Sequence, residues 1–160
     1  MQNLYTTTMN CPDMNVTLVS SDGITFTIPL KAANMSVFVS AMTDTYDDAY
    51  NEDEEIESIP VIRVTSKVLS MIVEFMCYYP NDPMIPIKKP LVSNHIGDVV
   101  QRWYAIFIER VISQDMLYDI VNAANYMFIQ PLLELSCAAV AASIQQKNNN
   151  EIHAELYLTV

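Results

Sequence analysis

Glycine is almost missing from this chain: Gly23 and Gly97 are the two in 160 residues. No Gly-rich loop can then be written in which successive backbone N–H groups close around a phosphate, which argues against nucleotide chemistry. Positive charge is scarce as well. Eight Lys and Arg stand against 19 Asp and Glu, a formal net charge of -11. A surface so biased repels phosphate backbones and anionic headgroups, so neither nucleic acid nor a membrane surface is an expected partner. Cys11, Cys77 and Cys137 are far apart and outside any Cys-x-x-Cys spacing. They predict reduced packing thiols rather than a disulfide framework or a metal site. His95 and His153 are the two histidines, and neither has the context of a thiol hydrolase or a ligand cluster. Catalysis, metals and cofactors are therefore not expected. No run of about 18 uncharged apolar residues is present, and Met1 to Thr8 lacks the basic start and apolar stretch of a signal peptide. The expected setting is intracellular.

Apolar residues are plentiful, at 51% of the chain, while 17% are charged. At this length one domain with one core is the default. The apolar stock exceeds what an isolated domain of this size ordinarily uses, which leaves some for a partner.

Residues 1–14 are polar and aperiodic, and are expected to be a flexible leader. Val16, Leu18 and Ser20 then alternate with Thr17 and Val19, Ser21-Asp22-Gly23 supplies turn chemistry, and Ile24 to Ile28 continues as a strand, which predicts a β-hairpin. Met35, Phe38, Val39 and Met42 follow at helical spacing. Eight acids and no base between Asp44 and Glu57 predict a mobile acidic loop. A buried strand is expected over 59–64, then a helix capped by Thr65 or Ser66 with an apolar stripe from Val68 to Met76. Pro80, Pro83, Pro86 and Pro90 make residues 80–97 a connector. Trp103, Ile106, Phe107 and Arg110 predict another helix, and Ser113 is expected to cap the next, with Asp115 in its first turn. Pro131 suits the first position of a final long helix.

From Pro131 to Gln146 that helix carries one charge, Glu134, and is apolar nearly all round. Such a helix is buried on several sides. Periodicity alone leaves two covers open: its own core, with help from Ile152, Leu156 and Leu158, or a second protein.

The stretch from Asp115 to Glu134, with Ala123-Ala124-Asn125-Tyr126 followed by Pro131-Leu132-Leu133 and Cys137, resembles the S-phase-kinase-associated F-box adaptor family of the cullin-RING ubiquitin ligases. Ser21-Asp22-Gly23 with Phe26, Ile59-Pro60-Val61 and Asn81-Asp82-Pro83 occur upstream in that family's order, so the likeness spans about Val16 to Leu158. The resemblance implies an α/β (α+β) POZ or BTB-like fold: a small sheet from the hairpin and the strand near 59–64, covered by helices, over residues 15–97. Residues 98–160 become a helical F-box-binding region. The implied function is that of a non-enzymatic adaptor bridging a cullin to F-box substrate receptors, in cytoplasm and nucleus. By position, Leu117, Ile120, Leu133, Cys137, Val140, Ala141, Ile144, Ile152, Leu156 and Leu158 match the F-box-facing residues, and Asn125 and Tyr126 match the cullin-facing ones. Without a receptor, the uncovered apolar face leaves a homodimer open. A structural BTB or elongin-C-like subunit is the competing reading, disfavoured by the segment after Ile144. The chain departs from the family pattern at Asn148-Asn149-Asn150, where a modifiable proline stands in some relatives, and it ends without the terminal acidic helix. A narrower grip on receptors is the expectation that follows.

Overall fold

The computed structural model describes residues 15–47 and 58–146. The leader 1–14, most of the acidic stretch, and Ile152, Leu156 and Leu158 lie outside the described residues. The expected hairpin is present as β1 (Asn15–Ser20) and β2 (Thr25–Pro29), antiparallel, with Val16 opposite Ile28 and Leu18 opposite Phe26. Val16, Leu18 and Ser20 all point into the core, as the period of two requires. Gly23 turns the chain at φ 80, in the left-handed region that glycine enters without a Cβ penalty. β3 (Ile59–Val61) runs parallel to β1 on its other side, giving the sheet order β2-β1-β3. The strand is shorter than the 59–64 expected. Val64 N–H donates back to the Val61 carbonyl, and that turn ends the ladder.

α1 (Leu30–Ala33) is a single turn that the sequence pattern did not reveal, and α2 (Val37–Asp47) follows it. Met35 precedes α2 rather than belonging to it, because Ser36 caps the helix: its Oγ accepts from Val39 N–H at 3.2 Å and donates to the Met127 carbonyl at 2.6 Å. α2 also runs four residues into the stretch expected to be an acidic loop. Extending an existing helix gains one hydrogen bond per residue fixed and avoids the cost of nucleation, so a few acids do not stop it.

α3 (Ser66–Tyr78) is capped from a distance. Thr65 makes no side-chain cap, and Asp22 in the hairpin turn takes that role, its carboxylate accepting from Ser66 N–H at 2.7 Å and from the Ser66 hydroxyl. The Ser66 hydroxyl, followed by that of Ser20, holds the Asp22 carboxyl down at about 2. A negative charge here also complements the helix dipole.

α4 (Arg102–Ser113), α5 (Leu117–Tyr126) and α6 (Gln130–Gln146) complete the described chain. One core runs from Leu18 and Ile28 in the sheet, through Leu69, Ile72, Phe75 and Met76 of α3, to Tyr104, Phe107, Ile120 and Leu135 in the later helices. Phe75 sits 5.6 Å from Phe107 and 5.8 Å from Tyr104, ring centre to ring centre. Residues 80–97 are irregular, as four prolines dictate, apart from a 3-10 turn entered at Ile96. They are nonetheless tied down. Tyr104 donates its hydroxyl to the Asp82 carbonyl, and the Gln101 side chain accepts from Ile85 N–H at 3.0 Å and donates to the Pro83 carbonyl at 2.9 Å. Burial, with Asp82 close by, pushes the Tyr104 hydroxyl well above its ordinary range.

Two helix ends close through a left-handed residue other than glycine, the first at the end of α4. Ser113, expected to cap α5, is the last residue of α4, and its Oγ donates to the Arg110 carbonyl. Asp115 lies between the helices at φ 55, while its N–H reaches the Ile112 carbonyl and Met116 N–H reaches that of Val111. That closure uses the orphan carbonyls of α4 and tucks Met116 beside Val111 in the core. Asp115 is thus a helix terminator, not part of the first turn of α5.

Candidate functional site

α6 divides its apolar surface between two faces. Leu132, Leu135, Ala139 and Ala142 are buried against the core, where each leucine contributes about 1.5–3 kcal/mol relative to exposure. On the other side Leu133, Val140 and Ala141 are half-buried, while Cys137 and Ile144 are exposed. The helix therefore has its own core on one face and only partial cover on the other among the described residues. Ser136, on the buried side, satisfies its hydroxyl on the Leu132 carbonyl at 2.8 Å. Pro131 falls at the second residue of the helix rather than the first, still within the turn whose N–H groups have no intrahelical partner.

Along part of the open face runs a groove of about 360 Å³. Leu133, Cys137, Ala138 and Ala141 form one wall; Ile87, Lys89 and Leu91 of the connector form the other. Ile87, between Pro86 and Pro90, and Leu91, just after Pro90, have no helical or strand period to mark them. Leu117 is half-buried at the start of α5. Ile120, which the resemblance assigned to receptor contact, is fully buried in the core. A side chain without accessible surface presents nothing to a partner, so Ile120 is reassigned to core packing. Cys77 and Cys137 are both exposed, not packed inside as expected, because each falls beside the buried stripe of its helix. Partial desolvation still raises the Cys77 thiol. Among the described residues no group of three or more His, Cys, Asp or Glu is placed to hold a metal, and no helix is long and apolar enough to cross a membrane.

A second surface forms where α5 ends. Asn125 is exposed and Tyr126 is half-buried, both beside a groove of about 480 Å³ that Arg63, Thr65, Asp119 and Asn122 also line. The Tyr126 ring lies 5.2 Å from that of Phe38 on α2, and the Arg63 guanidinium sits 5.6 Å over it. A cation so placed is attracted by the ring's negative face. Phe38 comes from α2 and Arg63 from the turn after β3, so no local spacing places them beside Tyr126. This groove shares no lining residue with the one on α6.

Tyr126 is followed by a helix end built like that of α4, with Phe128 at φ 52: its N–H donates to the Asn125 carbonyl and Ile129 N–H to that of Ala124. The left-handed region costs a side-chain-bearing residue about 1–2 kcal/mol. Asp tolerates it better than Phe does, through its short polar side chain.

Residues 14–82 match the family model described as Skp1 family, tetramerisation domain. The chain is 31% identical over 137 residues to a protein of Arthroderma otae named E3 ubiquitin ligase complex SCF subunit sconC, covering 86% of this chain and 78% of the relative. It is 32% identical to the protein of the same name from Aspergillus clavatus, over 86% of this chain and 80% of that one. A protein of Tetrahymena thermophila named S-phase kinase-associated protein 1 homolog is 31% identical, with 86% and 78% covered. The chain belongs to the Skp1 family.

Proposed function

We propose that this chain is the adaptor subunit of an SCF-type cullin-RING ubiquitin ligase, a non-catalytic bridge. The outer face of α6, at Leu133, Cys137, Val140, Ala141 and Ile144, takes the F-box of a substrate receptor. The surface at Asn125 and Tyr126 meets a cullin scaffold. Leu117 is assigned to the receptor side, as are Ile152, Leu156 and Leu158, which lie outside the described residues and are assigned by the resemblance alone. The observation that carries this reading is the partly open apolar face of α6, set against a core face already filled by the chain's own residues. The likeness to a protein named as a subunit of an SCF ubiquitin ligase complex supports this reading. In the absence of a receptor the same face pairs with a second copy, since apolar surface of this kind is better covered than hydrated. The adaptor works in cytoplasm and nucleus.

Capture of a tagged chain from native lysate, followed by mass spectrometry, tests the reading. F-box proteins and a cullin are expected together. Recovery of neither overturns it. With a purified F-box segment, the expected contact buries at least about 1,000 Å² in total, the usual floor for a specific interface.

A further inference from the structure

We propose that Phe128 is a contact residue of the scaffold-facing surface, kept at a strained backbone position because its ring is used outside the chain. The inference rests on the cullin reading of Tyr126. Phe128 occupies the left-handed region at φ 52, where a bulky side chain is disfavoured and glycine or asparagine is at ease. Asp115 fills the same role at the end of α4 and is of the type that tolerates it. The fold gains little from the phenylalanine ring in return, because 63% of Phe128 remains accessible.

The backbone at this point is also fixed against a second element. The Met127 carbonyl accepts from the Ser36 hydroxyl at 2.6 Å and from Phe38 N–H at 3.4 Å, and the Phe128 carbonyl takes Val37 N–H at 3.5 Å. Val37 is itself 63% accessible. The end of α5 and the start of α2 thus present two exposed apolar residues, continuous along the chain with the Phe38–Tyr126 ring contact. A single exposed apolar side chain needs no explanation. Phe128 differs in combining exposure with a disfavoured conformation and a clamped backbone. Retained strain of that kind points from geometry to use. The occupant is the scaffold that meets Tyr126, through an apolar patch of its own.

Three full-chain variants, Phe128→Gly, Phe128→Asn and Phe128→Tyr, test this by melting temperature and by titration with a purified cullin N-terminal region and, separately, an F-box segment. Phe128→Gly is expected to raise the melting temperature by about 2 °C, because relief of the left-handed conformation outweighs the added chain entropy. The same variant is expected to bind the cullin about tenfold more weakly, the scale of an aromatic contact in an interface. Phe128→Asn follows it, Phe128→Tyr keeps the wild-type affinity, and all three bind the F-box segment as the wild type does. Undiminished cullin affinity in Phe128→Gly or Phe128→Asn overturns the inference, as does a loss of stability together with loss of both partners. A wild-type chain that binds no cullin overturns the scaffold reading itself, and this inference with it.

Discussion

Leu132 and Leu133 are adjacent on α6 and chemically identical, yet the first is fully buried and the second keeps part of its surface in water. The same division runs the length of the helix, with Leu135, Ala139 and Ala142 inside and Cys137, Val140 and Ile144 outside. Hydrophobicity alone does not separate them. What separates them is which face of the helix the preceding elements reach, so the core reading holds for one face of α6, and the other face is the one proposed for a receptor.

The largest difference between the faces should appear in stability. Leu135→Ala removes a fully buried side chain and is expected to cost about 2–5 kcal/mol in denaturant unfolding. Leu133→Ala should cost clearly less, and equal losses would erase the distinction. In binding the order reverses. Val140→Asp is expected to lower F-box affinity by more than about 2 kcal/mol, roughly 30-fold, by placing an unpaired carboxylate in a desolvated contact. Its effect on folding should be about 1 kcal/mol, because Val140 is half-buried and the charge can reach water. Tyr126→Lys should weaken cullin binding by about 1–2 kcal/mol and leave F-box binding intact, since the two grooves share no residue.

The smallest effect expected is that of acid on the hairpin turn. Asp22 has its carboxyl lowered from 3.8 to about 2 by the Ser66 and Ser20 hydroxyls. A group whose folded value lies below its unfolded one contributes stability above the unfolded value, and that contribution is lost as pH falls from about 3.8 through about 2. Unfolding measured across this window should show a decline in the wild type that Asp22→Asn lacks. Matching pH profiles for both would remove Asp22 as the cap of α3.

The hairpin, α3, α4 and the extent of α6 were legible in the sequence because each carries a clear period or a turn signal. The misreadings concern ends and partners. Ser113 looked like a cap because serine before an apolar run usually is one, but in this chain Asp115 and Met116 close α4 first. The cap of α3 comes from Asp22, 44 residues away from Ser66, and no local pattern reveals it. The candidate site was read in the same way. Resemblance pointed to the outer face of α6 and to Tyr126, while Phe38, Arg63, Ile87 and Leu91 reach those surfaces through tertiary contacts that spacing does not encode. Ile120 was misplaced for the converse reason: its position on a family pattern says nothing of which side of α5 the core takes.

The most direct test of the account is the mass of the complex formed when the chain is mixed with an F-box segment and a cullin N-terminal region, read by light scattering. The account predicts a 1:1:1 complex for the wild type, a cullin pair alone for Val140→Asp, and an F-box pair alone for Tyr126→Lys. Displacement of one partner by the other, or loss of both partners in each folded variant, would contradict two separate docking surfaces on one adaptor.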